Sequence, residues 1–313
     1  MIPSALYASG AIAVRSSRNL LTKTHIRNMI NAGGATDAAK ILEEVDYNRE
    51  IINTNPENDD LIIADERART VKTFRELCGD RALLYCVMAK YEYHNLKTLY
   101  KARTLNNLKK STAETLYPFA VHSFDMNRLP IPLRSAVRTL ESRAKFDTAE
   151  IDLGIDMALY QDISANVKNI KTRSIADWFR AEIDIVNLRT YFKCRALKLN
   201  GEDFFVKGGL LKPSTIKTAT GNDENSKEAL RGTPYAALQL TSIDDFESSA
   251  AEYLVQKSTA GKNNINTLAP LFHWYVLKQE EFKAVKTILM GKRFGFSKEK
   301  TRDNLRGVYD KFE

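Results

Sequence analysis

The sequence predicts an all-α chain of three similar helical units of about 100 residues each. One motif occurs three times, and its helical periodicity and the overall composition agree with that class. Its copies are Tyr91-Glu-Tyr-His-Asn-Leu-Lys-Thr-Leu-Tyr-Lys-Ala-Arg103, Asp177-Trp-Phe-Arg-Ala-Glu-Ile-Asp-Ile-Val-Asn-Leu-Arg-Thr-Tyr-Phe-Lys-Cys-Arg195 and Glu280-Glu-Phe-Lys-Ala-Val-Lys-Thr-Ile-Leu-Met-Gly-Lys292. Superposed, they align an acid (Glu92, Asp184, Glu281) with a base five residues on (Lys97, Arg189, Lys286). A threonine follows each base (Thr98, Thr190, Thr287), and a second base closes each copy (Arg103, Arg195, Lys292). Asn95 and Asn187 stand between acid and base in the first two copies, with Ala284 in the third. The copies are 92 and then 97 residues apart.

In the middle copy Trp178, Ala181, Ile185, Leu188 and Phe192 follow the three-and-four spacing of one helical face, and Phe179, Ile183 and Val186 make a second. A narrow polar strip remains: Asp177, Arg180, Asp184, Asn187, Tyr191 and Arg195. A helix apolar over most of its circumference is covered by neighbours on several sides. An acid and a base five apart do not face each other along one helix. Each is therefore expected to find its partner on another helix of its own bundle. The motif residues are read as mainly structural, and a partner-facing strip is the alternative.

Composition agrees. Of 313 residues 43% are hydrophobic, enough to form real cores, and only 8 prolines and 14 glycines interrupt the helix formers. The formal charge of +8 suits an acidic partner, whether nucleic acid, anionic head groups or a protein surface. Cys78, Cys86 and Cys194 are an odd set without framework spacing, as in a reducing compartment. No stretch has the apolar length of a membrane span. Met1 to Val14 lacks a basic start and runs into Arg15 and Arg18, so it reads as a first helix and not as a signal peptide.

The expected units are 1–110, 111–203 and 204–313. In the first, a helix from Tyr7 to Leu21 precedes one from Thr24 to Met29, and Gly33-Gly34 breaks the chain. Thr36 is expected to cap a helix from Asp37 to Val45; a helix from Leu61 to Cys78 then turns at Gly79-Asp80 into the first motif helix, which should reach Lys110. In the second unit Pro132 suits the first turn of a helix over 133–144, and Asp147 the cap of one over 149–163. The motif helix should end at Asn200-Gly201. The third unit opens on another Gly-Gly break, Gly208-Gly209, and passes a polar loop over 219–226. Helices over 244–258 and 270–291 follow, and Ser297 should cap a basic helix over 298–312. Ala39 to Tyr47 resembles Lys227 to Tyr235, and each tyrosine precedes a motif helix by nearly the same distance, 48 residues to Asn95 and 49 to Ala284. The middle unit lacks this tyrosine.

No reactive constellation emerges. Gly291-Lys-Arg-Phe-Gly and Gly208-Gly-Leu-Leu-Lys lack the Gly-Lys-Ser/Thr ending of a phosphate loop. His25, His94, His122 and His273 are scattered, with no zinc-binding pattern. No nucleophile elbow occurs. No cofactor or metal is expected, and a binding or scaffold protein fits better than an enzyme. Two basic stretches could follow phosphates: Lys97, Lys101, Arg103, Lys109 and Lys110, or Lys292, Arg293, Lys298, Lys300 and Arg302. A basic helical scaffold for nucleic acid is therefore the alternative, without any module signature to favour it.

Several segments together are similar to the C subunit of the V-type/A-type rotary ATPases, known as the d subunit in eukaryotes. They are Pro270 to Lys292 followed by Phe294-Gly-Phe-Ser-Lys-Glu-Lys-Thr-Arg-Asp-Asn-Leu305, Phe205-Val-Lys-Gly-Gly-Leu210, Asp184 to Arg189, and Val14 to Leu21. The likeness covers nearly the whole chain. Two departures are visible: Ala284 stands where the family usually has asparagine, and the middle unit lacks the tyrosine. The resemblance implies three helical domains with pseudo-threefold symmetry, arranged as a funnel. It implies a non-catalytic central-stalk subunit on the cytoplasmic side of the membrane, partnered by the central-shaft subunits and the membrane rotor ring. Such a subunit would couple ring rotation to the ATP-processing head during proton or sodium transport.

Overall fold

The fold is seen in a computed structural model that describes residues 4–104, 116–142, 148–221 and 228–305. Among these residues every regular element is helical and no strand occurs, so the all-α class holds. The chain divides into two compact units, one joining Met1–Gly79 to Asp244–Glu313 and the other formed by Asp80–Ile243.

In the unit that joins the two ends of the chain, Ser4 accepts the Tyr7 N–H and opens α1 (Ala5–Asn19). Thr22 caps α2 (Lys23–Asn31) in a reciprocal box with His25, where the ring Nδ1 takes the Thr22 N–H at 3.0 Å. α3 (Ala35–Lys40) starts from Gly34, so Thr36 lies inside the first turn and is not the cap. The chain then tightens into a 3-10 turn, Ile41–Val45, in place of a continuous helix. α4 (Arg49–Thr54) and α5 (Asp59–Leu77) follow, capped by Asn48 and Asn58.

The other unit begins with α6 (Arg81–Thr104), the first motif helix. α7 (Ile131–Glu141) carries Pro132 in its first turn, where a missing N–H costs nothing. α8 (Thr148–Val167) packs against α6 and α7, and also against α9 (Arg173–Leu197), the second motif helix. α8 buries residues on every side, from Ile151 and Leu153 to Ile155, Ala158 and Ile163, which is why it lies at the centre. α9 stops at Lys198, which takes the left-handed conformation with φ 57°. Asn200 instead caps the 3-10 turn Gly201–Phe204, which corrects the expected stop at Asn200-Gly201. α10 (Pro213–Ala219) completes the unit.

α11 (Ile243–Ser258) leads into the unit that joins the chain ends, where α12 (Ala269–Arg293) is the third motif helix and α13 (Lys298–Asp303) is capped by Ser297 as expected. α12 packs against α1, α2, α3, α5 and α13. Its Phe282, Val285, Ile288 and Leu289 join Leu21, Ile26, Met29, Leu42, Tyr47 and Ile62 in one core. Each such buried side chain contributes on the order of 2 kcal/mol. α13 ends at Asp303 with Asn304 as its C-cap, which corrects the expected continuous helix over 298–312. The expected reach of the first motif helix to Lys110, the Asp147 cap and most of the 219–226 loop lie outside the described residues.

Candidate functional site

α6, α9 and α12 present the motif residues, and each acid grips main chain from a distant segment. Glu92 accepts the Val121 N–H at 2.8 Å. Asp184 accepts the N–H groups of Leu210 and Leu211 at 2.7 and 3.0 Å, with the Tyr235 hydroxyl at 2.6 Å. Glu281 accepts the Leu21 N–H at 2.7 Å and the Tyr47 hydroxyl at 2.8 Å. The expectation that each acid pairs with a base on another helix is thereby corrected, because irregular main chain leaves donors that a carboxylate satisfies strongly. Tyr47 and Tyr235 each precede one motif helix in sequence but bond to the acid of another.

The asparagines act beside the acids. Asn187 takes the Val206 N–H and donates to the Val206 carbonyl, both at 2.9 Å. Asn95 forms the same reciprocal pair with Tyr117, at 2.8 and 2.9 Å, and adds the Val121 carbonyl at 2.9 Å. One amide thus supplies both bonds that a neighbouring strand would have made. Gly208-Gly209 proves to be a contact and not merely a break. A Cβ on Gly209 would stand 2.0 Å from Asp184 Oδ1, and Gly208 has φ 120°, so only glycine lets this main chain reach the carboxylate.

The second bases complete a clip. Lys292, eleven residues after Glu281, donates to the Ile30 and Ala32 carbonyls at 2.6 Å each. Arg195, eleven after Asp184, donates to the Thr220 carbonyl. In both copies the acid holds the residue just before the N-cap of a short helix, α2 or α10, and the base holds its last carbonyls. Eleven residues of helix rise about 16 Å, enough to span α2, about 14 Å long, and the shorter α10, about 10 Å long. The charges match its dipole, negative at the N-terminus and positive at the C-terminus. Leu21 and Leu211 precede the two caps, and Ile26 and Ile216 sit at the fourth helical positions; all four are buried, as in a hydrophobic staple. In the first copy the held segment turns without forming a helix, and Arg103 lies over the Phe124 ring at 5.9 Å.

In the first and third copies the first base finds an acid on another helix. Lys97 reaches Asp156 on α8 at 2.6 Å, and Lys286 reaches Asp60 on α5 at 2.9 Å. Arg189 is half-buried, as are Thr98, Thr190 and Thr287. A buried cation escaped the sequence reading. Lys278 is fully buried and spends its three protons on Glu66 at 2.9 Å, the Asn19 carbonyl at 3.2 Å and Glu281. Its ammonium also lies 4.8 Å from the Tyr47 ring centre. Burial pushes the Glu66 carboxyl up, and the Lys278 charge opposes this. Asp184, whose described partners are neutral donors, is likewise pushed up by burial against its three hydrogen bonds. The only signal for Lys278 was one lysine among apolar residues, with alanine at the matching places in the other copies (Ala89, Ala181).

Most motif polar groups are thus occupied in holding main chain. Among the described residues no group of three His, Cys, Asp or Glu side chains is placed to hold a metal. His273 shares a hydrogen bond with Ser258 at 2.8 Å. Burial, and then the Lys262 charge, push its pKa down to about 4, so the ring is neutral at pH 7.

The sequence pattern of one family, described as ATP synthase (C/AC39) subunit, matches residues 10–304. The chain belongs to that family. As a C/AC39 member it is 23% identical over 310 residues to the C subunit of the V-type ATP synthase of Thermus thermophilus, covering 93% of this chain and 94% of the relative. It is 21% identical over 313 residues to the C subunit of the V-type sodium ATPase of Enterococcus hirae, covering 93% and 95%. With the C subunit of the A-type ATP synthase of Methanosarcina mazei it shares 21% over 336 residues, covering 96% and 93%. The match runs through all three motif helices and every segment they hold. Among the described residues of this C/AC39 chain, no helix is long and apolar enough to cross a membrane.

Proposed function

We propose that this chain is a non-catalytic central-stalk subunit of a V/A-type rotary ATPase. It would sit on the cytoplasmic side of the membrane, receive the central shaft, dock on the membrane rotor ring and transmit torque between them during proton or sodium transport. Family membership over residues 10–304 is the observation that carries this reading. The clip adds support, since a part that transmits force needs its segments held by more than apolar packing. It also bears on the division into units 1–110, 111–203 and 204–313 with pseudo-threefold symmetry. Two motif helices hold chain that follows them, and the third holds chain from the beginning, at Leu21. A cyclic set of three related units would produce that pattern.

The nucleic-acid alternative loses part of its footing. Lys97 and Lys101 are paired with Asp156 and Asp152, and Lys292 is spent on carbonyls; Lys109 and Lys110 lie outside the described residues. Reconstitution tests the proposal: the chain is mixed with detergent-solubilised rotor ring and, separately, with shaft subunits, and complex mass is read. One copy per ring, or a stable shaft complex, is expected. Failure with both at low and physiological salt, with binding to single-stranded nucleic acid instead, would overturn it.

A further inference from the structure

From Lys283 to Arg302 the sequence carries seven basic residues against a single acid, Glu299. Within that stretch the turn between α12 and α13 exposes every residue from 293 to 300. It displays two aromatic rings, Phe294 at 61% exposure and Phe296 at 38%. Large apolar side chains placed together in water call for an explanation.

The turn is rigid. Phe296 N–H bonds to the Gly291 carbonyl at 2.8 Å and Gly295 N–H to the Lys292 carbonyl at 3.2 Å, the crossed pair of a Schellman motif, with Gly295 at φ 66°. Such motifs often bury their last apolar residue against the side chain three places inside the helix end. Here that place is Gly291, where a Cβ would stand 2.9 Å from Thr301 Oγ1. Phe296 therefore lacks that customary partner. On the other side, Ser297 Oγ accepts the Lys300 N–H at 3.1 Å and fixes the start of α13.

Each ring carries a cation. Lys300 Nζ lies 3.9 Å from the Phe296 ring centre, and the Arg293 guanidinium 5.2 Å from that of Phe294. Arg293 is also paired with Asp59 at 2.7 Å, whereas Lys298, Lys300 and Arg302 project from the turn and the short helix after it. The local field is positive: the Lys298 charge, after burial, pushes the neighbouring Lys292 ammonium down.

We propose that this turn is a docking surface for an acidic segment of a partner protein, with Phe294 and Phe296 as apolar anchors and Lys298, Lys300 and Arg302 meeting its carboxylates. Charge complementarity selects the occupant, and preorganised aromatic and basic side chains are what interfaces concentrate their energy in. Base stacking is disfavoured because a cation already covers a face of each ring. Lipid is disfavoured because two partly covered rings offer too little apolar area for stable anchoring. The identity of the partner as a shaft or ring protein rests on the coupling reading.

The test places the photo-crosslinking residue p-benzoylphenylalanine at position 296 of the full chain, assembled with rotor ring and shaft subunits from the same source. Two variants accompany it, Phe294→Ala with Phe296→Ala, and Lys298→Glu with Lys300→Glu, with helix content and melting temperature checked against the parent. Crosslinks to an acidic stretch of shaft or ring, and affinity lowered about tenfold or more in both variants, are expected. If the parent assembles, yet neither variant weakens binding and no crosslink leaves the chain, the inference fails while the coupling reading stands. If the parent binds neither ring nor shaft, the coupling reading fails. The crosslinker in the source cells then decides the inference: an acidic protein segment supports it, and nucleic acid, lipid or no crosslink overturns it.

Discussion

Tyr47 donates its hydroxyl proton to the Glu281 carboxylate at 2.8 Å, although 234 residues separate them in the chain. Tyr235 does the same for Asp184 at 2.6 Å, across 51 residues. Two acids at matching motif positions thus take matching phenols. Tyr47→Phe and Tyr235→Phe should each cost about 2 kcal/mol, the range for a hydrogen bond to a charged group. Urea unfolding of both variants measures this, and a double-mutant cycle with Glu281→Gln should show coupling for Tyr47 and none for Tyr235.

Lys278 stands between Glu66 and Glu281, all three buried. Removing the cation leaves two carboxylates without it inside the unit, so Lys278→Met should destabilise by about 3–5 kcal/mol. Adding Glu66→Leu should recover part of the loss, because one buried charge goes with it. Calorimetric melting of the single and double variants checks the order.

The main chain at 206–211 depends on Asn187 and on the glycines. Asn187→Ala leaves both polar groups of Val206 without their amide partner and should cost about 2 kcal/mol. Gly209→Ala should cost at least as much, since its Cβ would overlap the Asp184 carboxylate at 2.0 Å. Hydrogen exchange should show the Leu210 and Leu211 amides losing protection in both variants.

His273 sets a pH dependence. Its folded pKa is near 4 against an ordinary 6.5, so the folded chain binds fewer protons than the unfolded one between those values. The stability that this ring contributes is fully present above pH 6.5 and is lost as pH falls towards 4. His273→Gln should flatten the melting temperature against pH in that window, and a profile unchanged from the parent would place the effect elsewhere.

By itself the sequence determined the helical class, the three motif helices and the apolar faces that bury them. Helical periodicity is a local property, readable wherever 3.6-residue spacing persists. Ser297 was legible as a cap for the same reason, because a cap acts within three residues. Tertiary structure decided what each polar residue of the motif holds. Nothing near Glu281 in sequence points to the Leu21 amide, 260 positions away, and nothing near Gly209 announces that its missing Cβ makes room for Asp184. Lys278 gave no repeat signal, because only the third copy places a cation there. A buried hydrogen bond is set by which donors the packed main chain leaves unpaired. That depends on how distant segments meet, which residue spacing along one helix does not encode.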